Sequence, residues 1–225
     1  MNLRLLAAAA IAAASTSAYA ADFAADGPAQ LNWTGAYIGA QIGYNVGGNA
    51  DYFYAEDSAY NYNHNLRGLL GGVYIGYNHQ LENNFVLGAE ADVSFGDVHG
   101  SAVDSDDRTY GVTAKFDRTF SARARIGYAF DRFLPYIAGG VTVGHLKVHE
   151  TDHGSYYADG AKNLVGWTVG AGAEYALTNN LFLRGEYRYA RFSRKDVEAY
   201  YGEGSYIYSI KADTHDVRLG LTYRF

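Results

Sequence analysis

The sequence predicts an all-β fold, an eight-stranded antiparallel up-and-down transmembrane β-barrel, and three observations predict it. Apolar residues alternate with polar or small residues through eight segments, which is the period of strands with one apolar face. The connections between these segments alternate between short and long. The 225 residues include 22 Tyr, 11 Phe and 27 Gly, and so many aromatic residues are typical of a barrel that meets two membrane interfaces.

The N-terminal residues predict export from the cytoplasm. An apolar stretch, Leu5–Ala14, is followed by the small-residue pattern Ala18-Tyr19-Ala20, as in a secretory signal peptide. No later run reaches the roughly 18 apolar residues of a helical span. The chain has no Cys, so disulfides cannot hold the exported protein. We expect a cleaved signal peptide at residues 1–20, a short periplasmic segment at 21–32 and the barrel at 33–225.

Each of the eight alternating segments is expected to form one strand. In FVLGAEADVSF, for example, one face carries Phe85, Leu87, Ala89, Ala91, Val93 and Phe95, and Glu90, Asp92 and Ser94 lie on the other. In the segment from Leu134 to Leu146, either set of alternate residues could form the apolar face. There we expect Ile137, Val141 and Val143 to face outward. The segments are Gly35–Tyr44, Leu69–Gln80, Phe85–Phe95, Phe120–Phe130, Leu134–Leu146, Val165–Ala176, Leu181–Ala190 and Thr214–Phe225.

The connections predict how the barrel is oriented. Short turns at 81–84, 131–133 and 177–180 alternate with polar stretches at 47–67, 97–118, 147–163 and 193–214. Outer-membrane barrels have short periplasmic turns and longer extracellular loops. We therefore expect four long extracellular loops and a location in the outer membrane of a Gram-negative bacterium.

Outward-facing aromatic residues fall into two groups, as expected for belts at the two membrane interfaces. Trp33 also lies at the periplasmic end but on the opposite parity, which implies an irregular start to the first strand. The periplasmic group is Tyr77, Phe85, Tyr128, Phe130, Tyr175, Tyr223 and Phe225. The extracellular group is Tyr44, Phe95, Phe120, Trp167, Tyr187 and Tyr189.

The inward positions carry charges of both signs. An eight-stranded barrel is just wide enough for side chains to fill its interior, and a buried charge without a partner is costly. We therefore expect these charges to pair and seal the lumen, although they could also line a narrow channel. They are Glu90, Asp92, Glu174, Glu186 and Asp216, with Arg123, Arg125, Arg184, Arg188, Arg218 and Arg224.

Several motifs resemble those of a known family. NWTGAYIGAQIGY, GGVYIGYNHQ, GAEADVS, LPYIAGGV, GWTVGAGAEYAL, LRGEYRY and RLGLTYRF are similar to segments of small outer-membrane β-barrels with an OmpA-like transmembrane fold, often called the porin family. In particular, they resemble alpha-proteobacterial major surface antigens and hemin-binding proteins. The resemblance implies that Tyr223 and Phe225 belong to the C-terminal signal that the outer-membrane insertion machinery reads.

A hemin site is one alternative, because His145, His149 and His153 recur at four-residue spacing with Tyr156 nearby. In an extended strand the three imidazoles would share one face, and imidazole and phenolate both ligate haem iron. Some proteins of the resembled family bind hemin, which supports the alternative. The main expectation remains that the protein has no cofactor.

We expect no enzymatic activity. Outer-membrane lipid A deacylases use a His and a Ser two residues apart on an outward strand face, and two such spacings occur here, His99 with Ser101 and His153 with Ser155. Both fall in predicted loops, away from the acyl chains. Nothing in the sequence matches an outer-membrane protease.

The expected role is therefore structural: a barrel that supports envelope integrity and displays surface loops. The alternatives are a hemin-binding receptor and a narrow passive channel. Expected partners are outer-membrane lipid, lipopolysaccharide and the insertion machinery, with host or other extracellular ligands for the Tyr-rich acidic loops. The net charge of −6 provides no basic footprint for nucleic acid.

Overall fold

The computed structural model describes residues 31–54, 62–103, 110–152, 155–201 and 204–225. The predicted signal peptide lies outside these ranges, as does the periplasmic segment up to residue 30. Within the described ranges, no helix has the length and apolar character needed to cross a bilayer. Ten strands form there: β1 (Gly35–Gly47), β2 (Asn49–Tyr54), β3 (Tyr62–Asn65), β4 (Gly68–Gln80), β5 (Phe85–Val103), β6 (Tyr110–Tyr128), β7 (Phe133–Asp152), β8 (Ser155–Ala176), β9 (Leu181–Tyr201) and β10 (Gly204–Arg224).

Eight of these strands close into a barrel. β1 and β4 to β10 pair in sequence order, each antiparallel to the next, and β10 pairs back onto β1. The closing ladder runs from Tyr37 opposite Arg224 to Gly47 opposite His215, with an irregularity after Asn45. Closure leaves no unpaired strand edge in the lipid, where an unsatisfied backbone group is costly. The predicted eight-stranded antiparallel barrel is confirmed.

β2 and β3 form a hairpin beyond the closing ladder. β2 pairs with β10 along 50–54, and β3 pairs with β2. The chain leaves the barrel wall at Gly48 and returns at Gly68, whose φ angles are +153° and +156°. A side chain at Gly68 would collide with the backbone of Asp97. Both positions therefore require glycine.

The two faces of the barrel wall follow the alternation in the sequence. Outward positions carry exposed apolar side chains, including Ile137 and Val141 of β7. Two groups of outward aromatic residues mark the ends of this apolar band. The extracellular belt contains Tyr44, Phe95, Phe120, Trp167 and Tyr187, and the periplasmic belt contains Tyr77, Phe85, Phe130, Tyr175, Tyr223 and Phe225, all exposed.

The lumen has three layers. A periplasmic apolar layer contains Leu31, Trp33, Val86, Ala129, Leu134, Ala176 and Phe182. A charged layer fills the middle. An extracellular apolar layer contains Leu66, Leu70, Val98, Phe116, Leu146, Leu164 and Phe192, with the rings of Phe116 and Phe192 stacked at 4.9 Å.

Trp33 belongs to the periplasmic apolar layer, which explains its parity. Its side chain is 1% exposed, and its ring centroid lies 4.9 Å from that of Phe182. The indole Nε1 donates a hydrogen bond to the carbonyl oxygen of Asp131 at 3.1 Å. Because β1 begins only at Gly35, Trp33 lies before the strand and covers the end of the lumen.

The strands extend well beyond the segments that alternate in the sequence. β5 to β10 contain 19 to 22 residues each, whereas a tilted transmembrane strand needs about 9–11. Most of the stretches predicted as the second, third and fourth loops are continuations of these strands. The barrel wall therefore projects beyond the extracellular belt.

Candidate functional site in the barrel lumen

The charged layer contains five acidic and five basic residues, each at most 5% exposed. They lie at inward positions of β5, β6, β8, β9 and β10, which pairing in sequence order brings together. The acidic residues are Glu90, Asp92, Glu174, Glu186 and Asp216, and the basic residues are Arg123, Arg125, Arg184, Arg188 and Arg218.

Glu186 is the main acceptor of this layer. Its carboxylate accepts hydrogen bonds from Nη1 of Arg123 at 2.8 Å, Nη2 of Arg184 at 2.5 Å and Nε of Arg188 at 2.8 Å. The hydroxyl of Tyr136 donates to the same carboxylate at 2.7 Å. Three guanidinium groups from two strands therefore meet at one carboxylate.

Glu90 joins the opposite wall to the same cluster. It accepts hydrogen bonds from Nη2 of Arg123 and Nη1 of Arg184, both at 2.5 Å, and from the hydroxyl of Tyr37 at 2.9 Å. Arg123 and Arg184 thus bridge Glu90 and Glu186. Charge-assisted bonds of this kind are about twice as strong as neutral ones.

The remaining charges extend the layer toward both ends of the barrel. Arg125 donates to Glu174 at 2.8 Å, and its guanidinium lies 3.9 Å from the ring centroid of Tyr136. Arg188 donates to both carboxylate oxygens of Asp92 at 2.9 and 3.1 Å. Toward the extracellular side, Arg218 donates to Asp216 at 2.6 Å.

Arg224, predicted to belong to this network, lies elsewhere. Its guanidinium donates to the backbone oxygens of Asn32 and Asn179 and stacks on Phe182 at 4.9 Å. Among the described residues, no carboxylate lies within ion-pair distance of it. Its position near the end of β10 puts it beside the periplasmic apolar layer, and both of its described acceptors are backbone carbonyls.

Three tyrosines lie in the lumen and were not singled out from the alternation in the sequence: Tyr37, Tyr74 and Tyr136. Each is buried and hydrogen-bonded to the charged layer or to a neighbouring hydroxyl. Inward glycines make room for the rings: a side chain at Gly39 would meet the ring of Tyr74, and one at Gly76 would meet Tyr37. Tyrosine and glycine alternating on one face is the signal that could have identified them.

Above the extracellular belt, outward side chains form two small clusters. Asp117 contacts Nδ1 of His145 at 2.9 Å and Nζ of Lys147 at 3.0 Å. Asp97 contacts Nζ of Lys115 at 2.8 Å and Nδ1 of His99 at 3.2 Å.

Both carboxylates of these clusters favour the ionised form. Burial opposes ionisation of Asp117, but hydrogen bonds from Lys147 and His145 outweigh it and lower the pKa of the carboxyl group. The hydrogen bond from Lys115 is the largest influence on Asp97 and likewise lowers its pKa. Asp97 and Asp117 therefore stay ionised at neutral pH and hold the cations beside them.

Of the predicted hemin ligands, only the side chain of His145 is described, and its Nδ1 is occupied by Asp117. His149 lies in β7 and Tyr156 in β8, but their side chains are outside the described part of the structure. His153 is wholly outside it. In the described ranges, no three His, Cys, Asp or Glu side chains are grouped to hold a metal ion. The hemin site stays a prediction.

At the periplasmic end, the predicted insertion residues lie on the outer face. Phe225 is 75% exposed, its ring centroid is 5.3 Å from that of Tyr223, and its backbone N–H donates to Ala36 of β1 at 3.0 Å. Their role as an insertion signal stays a prediction.

A closed eight-stranded barrel with an apolar outer band, two aromatic belts and polar residues in its interior defines an integral outer-membrane β-barrel protein. The chain matches the family of the outer membrane protein beta-barrel domain over residues 6–225. It belongs to that family, as its motifs predict, and its outer-membrane location in a Gram-negative bacterium is confirmed.

Two relatives illustrate the similarity. The 31 kDa outer-membrane immunogenic protein of Brucella melitensis is 34% identical over 230 residues, covering 94% of this chain and 95% of the relative. The 22 kDa outer membrane protein of Rhizobium leguminosarum bv. viciae is 35% identical over 158 residues, covering 70% and 67%.

A solved structure supports the fold alone. The outer membrane protein OprG from Pseudomonas aeruginosa superposes with a TM-score of 0.52 and 10% sequence identity, covering 87% of this chain and 98% of OprG. At this identity the likeness carries no information about activity.

Proposed function

We propose that this protein is a sealed structural barrel of the outer membrane, which contributes to envelope integrity and displays its extracellular strands and loops at the cell surface. In this proposal it is neither a channel nor an enzyme. The observation that carries the proposal is the charged layer, in which five acidic and five basic side chains pair between two apolar layers.

The pairing supports a closed lumen on energetic grounds. A water-filled path would have to separate guanidinium groups from carboxylates that they contact at 2.5 to 2.9 Å. Removing one partner of a buried ion pair costs about 3–5 kcal/mol. Thermal fluctuations alone therefore open such a layer rarely.

The packing around the layer supports the same conclusion. At the extracellular edge of the layer, a partly open cavity lined by Asn45, Ser94, Asp216 and Arg218, and also by wall residues such as Phe95 and Arg118, has a volume of only about 30 Å³, room for about one or two water molecules. Trp33 and Phe182 cover the periplasmic end, and Phe116 and Phe192 pack beyond the charges on the extracellular side.

Planar-bilayer recording of the refolded barrel tests the proposal. The wild-type protein is expected to give no discrete current steps. A matched variant, E90S with R184S, removes one acid and one base, so the net charge of the lumen is unchanged while the contacts of Glu90 with Arg123 and Arg184 are lost. We expect steps in that variant; regular steps in the wild type would overturn the sealed lumen.

Surface display is supported by the projecting strands and by the relatives. Proteins from Brucella that are similar to this chain are described as immunogenic, and we extend that property to this protein. Antibodies raised against the refolded barrel should label intact cells of the source bacterium. Labelling only after the outer membrane is permeabilised would contradict display.

A further inference from the structure

A bulge in β6 changes what this strand presents to the outside. Phe116 and Arg118 pair with consecutive residues of β7, Leu146 and His145, so Asp117 is an extra residue. Phe116 is buried in the lumen, whereas Asp117 contacts outer-face side chains and Arg118 is exposed. Bulges redirect side chains in this way. Two consecutive residues, Asp117 and Arg118, therefore both lie on the outer face.

Several positively charged side chains lie around the bulge. Lys115 of β6 lies directly opposite Lys147 of β7, and Arg118 lies opposite His145. Like charges at opposed positions destabilise a sheet. Asp97 and Asp117 each compensate one lysine, but Arg118 has no hydrogen bond or ion pair with any described residue. We call Lys115, Arg118 and Lys147 the β6–β7 cationic patch.

The patch lies at the level where lipid headgroups begin. Arg118 is opposite Phe95 of β5 and two residues from Phe120, and both rings belong to the extracellular belt. Aromatic belts mark the boundary between acyl chains and headgroups. The outer leaflet of a Gram-negative outer membrane is made of a glycolipid whose sugar headgroup carries phosphates. A guanidinium binds phosphate through two parallel hydrogen bonds.

The apolar surface of the same strands provides a second, independent observation. An outward groove of about 420 Å³ is lined by Leu87, Ala124, Ile126, Ile137, Gly139 and Val169. Ala124 and Gly139 are opposed on β6 and β7, and their small size creates the depression between larger neighbours. A groove of this shape suits an acyl chain. It lies on the membrane side of the patch, around the middle of the apolar band, because Ala124 is four residues from Phe120 of the extracellular belt and Leu87 is two residues from Phe85 of the periplasmic belt.

We propose that the β6–β7 cationic patch binds a phosphate of the outer-leaflet glycolipid, with Arg118 as the principal ligand and the end of an acyl chain reaching the groove in the middle of the apolar band. Asp117 positions Lys147, and no described carboxylate compensates Arg118. The proposal rests on the outer-membrane location and not on a sealed lumen, so it stands or falls separately from the proposed function.

Native mass spectrometry of the refolded full chain in detergent tests the site. The probe is lipid A, titrated in its bisphosphorylated form and after chemical removal of both phosphates. We expect the phosphorylated form to bind about tenfold more tightly, and R118Q to lose about tenfold in affinity for it. The matched control is R191Q, because Arg191 is also exposed above the extracellular belt but lies opposite Trp167 on β8, away from the patch.

Each alternative outcome has a defined meaning. Equal binding of the two lipid forms, or equal losses in R118Q and R191Q, would overturn the site. Displacement of lipid A by an equal concentration of inorganic phosphate would show that the patch binds phosphate without recognising lipid, which also overturns the proposal. Heat-modifiable migration on gels verifies that both variants fold, so a loss in R118Q reports binding.

Discussion

The charged layer of the lumen and the clusters above the extracellular belt contain the same chemistry in different surroundings. In both, carboxylates hold cations at about the same distances: Glu186 to Arg123 at 2.8 Å in the lumen, and Asp117 to Lys147 at 3.0 Å outside. The lumen pair is 0% and 1% exposed, whereas Lys147 is 43% exposed. The contact distance of an ion pair therefore says little about how much the pair contributes to the free energy of unfolding.

Burial is what separates the two regions. Outside, water solvates whichever charge loses its partner, so an exposed pair contributes about 0–1 kcal/mol. In the lumen the charged side chains are almost completely buried, so little water can replace a lost partner, and the remaining charge stays poorly solvated. The lumen network therefore has a large effect when broken, and the outer clusters are free to exchange partners with a ligand.

The largest expected effect comes from breaking the charged layer at Glu186. E186Q keeps the shape of the side chain but leaves Arg123, Arg184 and Arg188 facing an uncharged amide, so we expect a loss of about 3–5 kcal/mol in the free energy of unfolding. Urea unfolding of the refolded barrel in lipid vesicles measures it. E82Q, in the exposed turn between β4 and β5, is the control and should change stability by less than about 0.5 kcal/mol. If E186Q lost no more free energy of unfolding than E82Q, the buried charges of the lumen would matter no more for stability than an exposed charge.

A smaller effect should follow from filling the space beside a lumen tyrosine. In G39A the new methyl group meets the ring of Tyr74, and overpacking of this kind costs about 1–3 kcal/mol. G71A is the control, because Gly71 faces outward on the neighbouring strand and a methyl group there has its nearest contact at 3.7 Å. The same unfolding assay compares them. Equal stability of the two variants would mean that the Tyr74 ring moves aside without cost.

The smallest effect is expected at Asp117, and it depends on pH. Its pKa in the folded protein is lowered, against about 3.9 for an unperturbed Asp. Its contacts with Lys147 and His145 therefore stabilise the fold above about pH 4, and this contribution is lost as the pH falls through the lowered folded pKa. D117N should cost about 0–1 kcal/mol at neutral pH and nothing once Asp117 is protonated. Unfolding curves of the wild type and D117N, at neutral pH and at a pH low enough to protonate Asp117, check this. A stability difference between the two proteins that persists in acid would point to packing instead of charge.

Much of the fold could be predicted because the membrane enforces the alternation. Between the two belts an outward residue meets lipid and an inward one meets the filled lumen, so the period of two is strict. Above the extracellular belt the outward face meets water instead of lipid, whereas inward residues such as Phe116 and Leu146 are still buried and apolar. The outward face therefore becomes polar, and the sequence loses its apolar outward residues, which is why the outer halves of β5 to β10 were expected to be loops.

The charged layer was only partly predictable for a different reason. Parity places Glu90 and Arg123 inside, but it does not say that Glu90 on β5 reaches Arg184 on β9, because contacts across the lumen depend on the stagger of the strands around the closed barrel. Arg224 shows the limit: it has the same parity as Arg218, yet it lies too near the end of β10 to reach the layer. The inward position of Trp33 could not be predicted, because the residue precedes β1 and the alternation of the strand does not extend to it.

The length of the strands has a consequence for how the protein is seen from outside. β8 has 22 residues, which at about 3.3 Å per residue is roughly 70 Å of strand, against an apolar band about 25 Å tall. Even when tilted, the sheet rises well clear of the lipid headgroups. Molecules that approach the cell from outside therefore meet a projecting, hydrogen-bonded sheet. Substitutions in the projecting part of the sheet would change the surface that the cell presents while leaving the membrane-spanning half of the barrel unaltered.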